Sequence, residues 1–369
     1  MVGTASALSD PVVIMRLTTR EAIAWNPHPE SLVSGHSSAW QSARFGTVRS
    51  EVQILLPRPF TSSSNPGKTE MTIRSVWVLL ASFLLFAGSA FGWGEKGHGI
   101  ANEAATYETP TEIPLFFHEA YARLVYLGYD PDRWRGAGDS LDAVNPPDHF
   151  LDYEYVENLE LPVDRYSFIK LLYESGTLDR LGIPFDRPGF LPWRITELCE
   201  KLERQWRIWR TATLDPSERE QVEESIIQIA GVLGHYVADS ANPHHATIHY
   251  NGWVGDPGEG YANDCDIHSR FETRFVTRYV DLSDVVPLMF GATRRGDYFA
   301  ASLALIRESS ANVEALYKLD REGAFDPKTV SEEGRAFAAG RLAVGASLLR
   351  DLWWSTWLAS AESRNRRGR

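Results

Sequence analysis

The feature that most constrains this chain is the stretch His235-Tyr-Val-Ala-Asp239-Ser-Ala-Asn-Pro243-His-His245. It follows Ile226, Ile227, Ile229, Ala230, Val232 and Leu233, a run that is apolar almost all the way round a helix. A helix of that kind is buried. His235 and Asp239 are four residues apart, so both side chains leave one face. Pro243 stops the helix, and His245 follows two residues later. A buried imidazole and carboxylate need a partner, and a divalent metal suits both. A His–Asp hydrogen bond capping a core helix would also satisfy them, so the rest of the chain must decide.

Further donors recur along the sequence. His268 and Glu272 form a second pair four apart, after a Gly-rich acidic loop over 250–266. His149 follows two prolines in Asn145-Pro-Pro-Asp148-His149-Phe150-Leu-Asp152. Asp148 or Asp152 is placed to hold the second nitrogen of His149. Asp132 sits in a loop marked by Pro and Gly, with Asp130 as its rival. Trp93-Gly-Glu-Lys-Gly-His98 adds another imidazole. One tetrahedral zinc takes four ligands, so this supply points to more than one metal.

The N-terminal part reads differently. Residues 1–70 are rich in Ser, Pro and Arg without a sustained period, as in a disordered or spurious extension. Met71, Arg74, an apolar run from Val76 to Ala87 and small residues up to Gly92 read as a signal peptide over 71–92. A cut before Trp93 would free an α-amine, which can chelate a metal together with its own carbonyl oxygen. The expected product is secreted or periplasmic, with no transmembrane anchor after cleavage and no stable protein partner evident. The working domain is then 93–361, with a basic tail at 362–369.

Charge narrows the function. The chain has 37 Lys+Arg against 49 Asp+Glu, a net charge of −12. Residues 1–92 hold 7 and 5 of these, leaving 30 against 44, a net −14. That disfavours broad electrostatic capture of nucleic acid, so any phosphate chemistry needs a local positive centre. Two cysteines, Cys199 and Cys265, do not make a disulfide scaffold, and the sequence cannot pair them.

Helical periods predict helices at 99–107, 113–127, 163–178, 192–213, 299–317 and 332–358, and at His268–Glu272. Asp215-Pro216 is predicted to start the helix that runs to His235. Trp193, Trp206 and Trp209 recur at helical spacing and are expected in the core. No stretch reads as a sheet, and no phosphate loop, G-x-S-x-G elbow or C-x2-C pair is present. The expected fold is a single all-α, multi-helix domain.

Taken together, W-G-x-x-G-H at 93–98, Asp132, H-F-x-D at 149–152, H-x3-D-x5-H at 235–245 and H-x3-E at 268–272 resemble a known superfamily. It is the trinuclear zinc phosphodiesterases, which unite single-strand nucleases of the S-one/P-one type with zinc-dependent phospholipase C. The resemblance implies three Zn2+ in one cleft. Asp132, His149, His235 and Asp239 would hold the first, and His245, His268 and Glu272 the second. The amine and carbonyl of Trp93, with His98 and the bridging Asp239, would hold the third. Asp132 would also act in catalysis by orienting or deprotonating the attacking water, and Phe150 and Asp152 would contact substrate.

The implied activity is an endonuclease that hydrolyses single-stranded DNA or RNA to 5′-phosphates by a zinc-activated water. A zinc-dependent phospholipase C acting on phospholipid is the alternative, and a non-catalytic, metal-stabilised binding protein is a third. Glu272 suits the phospholipase branch. The five-residue step from Trp93 to His98 and the long gap from His245 to His268 suit the nucleases. Ala238 and the Ser-Ala-Asn-Pro run after Asp239 depart from the usual pattern at positions that are not ligands.

Overall fold

Helices make up the regular structure of residues 93–257 and 259–362, the part of the chain that the computed structural model describes. No strand occurs among the described residues. They lie within the unit Met71–Arg369. The expected extension, the signal peptide with its cut, and the tail beyond Glu362 lie outside the described residues.

Seven helices frame the molecule. They are α1 (Gly94–Tyr107), α2 (Tyr121–Leu127), α3 (Leu191–Trp209), α4 (Pro216–Ser240), α5 (Tyr298–Ala311), α6 (Val313–Arg321) and α7 (Glu332–Ser360). Shorter turns between them carry much of the site. Helix α4 starts where the sequence places it. The Asp215 carboxylate accepts the Glu218 amide at 2.9 Å, and Glu218 accepts the Asp215 amide at 3.2 Å. This reciprocal cap satisfies two amides that the helix leaves without partners. From Ala230 to Ser240 every residue of α4 is buried, as its all-round apolar character requires. It packs against α1, α2, α3 and α7.

Close approach of α1 and α2 to α4 depends on small residues. A Cβ at Gly231 would lie 2.4 Å from Leu127 Cβ, and one at Gly234 would lie 1.9 Å from Asn102 Oδ1. Asn102 fills that space and donates to the carbonyls of Leu124 at 2.7 Å and Gly231 at 3.1 Å, tying all three helices together. The tryptophans behave as expected. Trp193, Trp206 and Trp353 are buried, and Trp209 stacks edge-on against Trp206 and Trp357.

Several predicted helices are interrupted. The segment 113–127 breaks at Ala120, between Leu115–Glu119 and α2. The segment 163–178 breaks at Gly176, whose φ of 64° cannot continue a right-handed helix. The segment 299–317 breaks at Asn312, whose side-chain Nδ2 donates to the Glu308 carbonyl at 2.8 Å and so competes with the helix. Cys199 is buried and Cys265 exposed, and both are free thiols.

Gly234→Ala should force Asn102 from its site. We expect about 1–3 kcal/mol of destabilisation from overpacking, read as a lower thermal midpoint. An unchanged midpoint would show that Asn102 yields without strain.

Candidate metal centre

Six separate pieces of chain deliver polar side chains to the C-terminal end of α4. Helix α4 itself brings His235 and Asp239, one turn apart. The short helix Asp130–Arg133 brings Asp132, and the 3-10 turn Pro146–His149 brings His149. The 3-10 turn Pro243–Ala246 brings His244 and His245. His268 precedes, and Glu272 lies within, the π-helical turn Ser269–Phe275, so the predicted α-helix is wider here.

The start of α1 completes the ring, and its glycines explain the spacing there. Gly94 has a φ of 63°, and a Cβ at Gly97 would lie 2.7 Å from Trp93 Cβ. The chain therefore folds Trp93 back over its own first turn. The Trp93 indole N–H donates to the Ala238 carbonyl at 2.8 Å, one residue before Asp239. Trp93 and His98 are both fully buried there. The expected amine of Trp93 depends on a cut after Gly92, which lies outside the described residues.

Asp239 is the hub, with no exposed surface. Its Oδ2 lies 3.1 Å from His149 Nδ1 and 3.3 Å from His235 Nε2. Its Oδ1 lies 3.5 Å from His98 Nε2 and 3.7 Å from His245 Nδ1. His235 Nε2 and His149 Nδ1 are 3.0 Å apart, and Asp132 Oδ1 is 4.0 Å from His235 Nε2. Two donors on one tetrahedral zinc, with bonds of ~2.0–2.1 Å, sit about 3.3 Å apart. Most of these separations cluster around that spacing. Asp132, rather than Asp130, faces the cluster; Asp130 lies 3.4 Å from Arg133 Nη1.

The outer hydrogen bonds fix which nitrogens face inward. His235 Nδ1 is 2.8 Å from the Gly128 carbonyl, and His245 Nδ1 is 2.7 Å from the His149 carbonyl. Each Nδ1–H donates, so each Nε2 presents its lone pair, the usual arrangement behind a ligating imidazole. His245 Nε2, His149 Nε2 and His98 Nδ1 and Nε2 are buried without a hydrogen-bond partner, as is Asp239 Oδ1. Neither Asp148 nor Asp152 holds His149, contrary to expectation. Asp148 pairs with Arg165 at 2.5 Å, and Asp152 lies 3.8 Å from Arg187 Nε.

Burial and like charge act against the ionised forms. Desolvation, followed by repulsion from Asp132 and Glu272, holds Asp239 well above the usual carboxylate range. Desolvation also lowers His235 to about 3 and His244 and His245 to about 4, and it holds His98 and His149 well below the ordinary histidine value. A buried polar cluster of this kind is costly unless a cation satisfies it. Three of its subsets have donor atoms close enough to share an ion: His98, His235 and Asp239; Asp132, His149 and His235; His244, His268 and Glu272.

The cluster opens into a cavity of ≈ 190 Å³. Arg135, Pro146, Phe150, Asp152, Arg187 and Tyr250 line it together with His149, His244, His245 and His268. Phe150 is half-buried, and Arg135 Nη2 reaches Asp132 Oδ1 at 2.7 Å. All the candidate ligand side chains named from the sequence thus meet at one place, with Phe150 and Asp152 beside them. His244, Arg187 and Tyr250 were not among them. His244 had one available signal, its position next to His245 in the turn set by Pro243. Arg187 and Tyr250 come from irregular loops and carry none. No family model matches this sequence, and no curated protein matches it.

Asp152 gives the site a pH signature. Desolvation raises it from 3.8 to about 8, against the pull of Arg187. The folded state then binds more protons than the unfolded one between those values, so stability falls as pH rises through that window. Metal-free protein melted across pH 5–8 should lose stability on the alkaline side, and Asp152→Asn should lose less of it. Parallel curves for the two proteins would refute the shift.

Proposed function

We propose that this chain is a zinc-dependent phosphodiesterase, an endonuclease acting on single-stranded DNA or RNA. The convergence of imidazoles on the buried Asp239 carboxylate, at separations of 3.1–3.7 Å, carries this reading. The donor set fits zinc in number and chemistry, because it offers imidazole and carboxylate groups in a buried pocket. Asp132, His149, His235 and Asp239 would hold one ion, His98 and Asp239 with Trp93 another, and His268 and Glu272 a third. Zinc, when bound, supplies Lewis acidity: it acidifies water and neutralises negative charge on phosphate.

The chain's own groups supply the rest. Asp239 faces His98 through one oxygen and His149 and His235 through the other, so it would hold an ion on each side were two bound. Asp132 pairs with Arg135, which lines the cavity, and would orient or deprotonate a water at the ions. Arg135 brings positive charge to the cavity wall of an otherwise acidic protein. Phe150 offers a flat apolar face for a base. Asp152 lies in the same cavity wall, where it can contact substrate.

Protein exported by a secreting host should contain close to three zinc ions per chain and begin at Trp93. Metal analysis and N-terminal sequencing of one sample check both. Single-stranded DNA should be cleaved to 5′-phosphorylated ends faster than phosphatidylcholine is hydrolysed. The reverse preference would make the protein a phospholipase C, and bound zinc without turnover of either would leave a metal-stabilised binding protein.

Phe150→Ala should raise KM for single-stranded DNA. Loss of one stacked base, on the order of 1–3 kcal/mol, corresponds to roughly 5–150-fold. An unchanged KM would remove Phe150 from the substrate site.

A further inference from the structure

The resemblance assigns His245, His268 and Glu272 to one ion, yet the structure surrounds Glu272 with three imidazoles. Glu272 is completely buried. Its Oε2 lies 2.6 Å from His268 Nε2, and its Oε1 lies 3.2 Å from His244 Nδ1 and 3.8 Å from His245 Nε2. His244 is therefore nearer the carboxylate than His245 is. The His244 and His268 rings lie side by side, 4.9 Å apart and 18° from parallel. His244 is 1% exposed, its Nε2 has no hydrogen-bond partner, and it lines the cavity.

Local sequence explains how His244 reaches this position. The Asn242 side-chain oxygen accepts the His244 amide at 3.1 Å, while the Asn242 side-chain nitrogen donates to Glu272 Oε1 at 2.6 Å. One side chain thus locks the His244 backbone to the carboxylate. Pro243 fixes the turn between them. Neutral His245 has given its N–H to the His149 carbonyl, so its Nε2 approaches Glu272 as a lone pair and not as a hydrogen-bond donor. A cation accepts lone pairs from all of them.

We propose that His244 is a direct ligand of the ion held by His268 and Glu272, with His245 as the fourth donor. This rests on the metal-centre reading above. Its chemical consequence is specific. Three imidazoles and one carboxylate fill a tetrahedral shell, and a zinc site closed by four protein ligands is structural, whereas a catalytic one keeps an open position. Substrate and water would then meet the ions around Asp239, and the ion at Glu272 would brace the turn that carries His244 and His245.

The test uses wild type, His244→Leu and His245→Leu, each loaded with zinc and, separately, with Co2+ as a visible probe. Wild type should bind close to three ions, and failure to bind any would sink the metal centre and this proposal together. His244→Leu should lose affinity at one ion by more than the ~10–100-fold expected when a group merely supports a ligand. It should also shift the visible Co2+ absorption, because a nitrogen donor leaves the shell. Circular dichroism of metal-free His244→Leu should match wild type, which separates lost coordination from misfolding. Wild-type affinity and an unchanged Co2+ spectrum in His244→Leu, with both altered in His245→Leu, would overturn the proposal and leave the metal centre standing.

Discussion

Asp239 is the group on which the molecule turns. It is a carboxylate without exposed surface, placed in the last turn of α4, which is buried throughout from Ala230 to Ser240. The C-terminal end of a helix carries partial negative charge, so the position is electrostatically hostile to an anion. Asp132 and Glu272 add to that hostility. Two neighbouring devices reduce it. Arg341 donates to the Ala241 carbonyl at 2.8 Å, and Ser309 Oγ donates to the Ser240 carbonyl at 2.7 Å, so carbonyls left open by the helix are paired. The imbalance that remains falls on the pocket side, where neutral imidazoles surround the carboxylate and a dication fits.

The helices around this point serve it by proximity. Asn102 crosses Gly234 to join α1, α2 and α4 directly beneath His235. Trp93 lies over Gly97 and reaches the carbonyl before Asp239. Structure that would otherwise count as packing therefore sets the distances between donor atoms. A displacement of a few tenths of an ångström in α1 would reach His98 and Asp239 together.

Much of this was legible in the sequence. The pairs at 235 and 239 and at 268 and 272 could be read because helical geometry puts fourth neighbours on one face. The boundary at Asp215 could be read from its capping residues, and the Trp-rich helices read correctly as core. What could not be read was anything set by tertiary contact. Asp148 looked like a support for His149 by adjacency, but Arg165 claims it. Arg187 and Tyr250 reach the cavity from loops without a period. His244 stayed hidden beside His245 because spacing rules choose one residue of a doublet and cannot rank the two. The breaks at Gly176 and Asn312 arose from single-residue backbone preferences inside otherwise helical runs.

The π-helical turn at Ser269–Phe275 has a consequence for how this fold can vary. Widened turns accommodate an additional residue without lengthening the helix axis in proportion, and here that surplus lies where Glu272 faces three rings. In a regular helix each residue contributes about 100° of rotation. Deleting one residue from the widened turn would swing the carboxylate away from its imidazoles while leaving hydrophobicity, charge and helix propensity almost unaltered. Residue count in this short stretch is therefore a constraint in its own right, one that composition alone does not reveal.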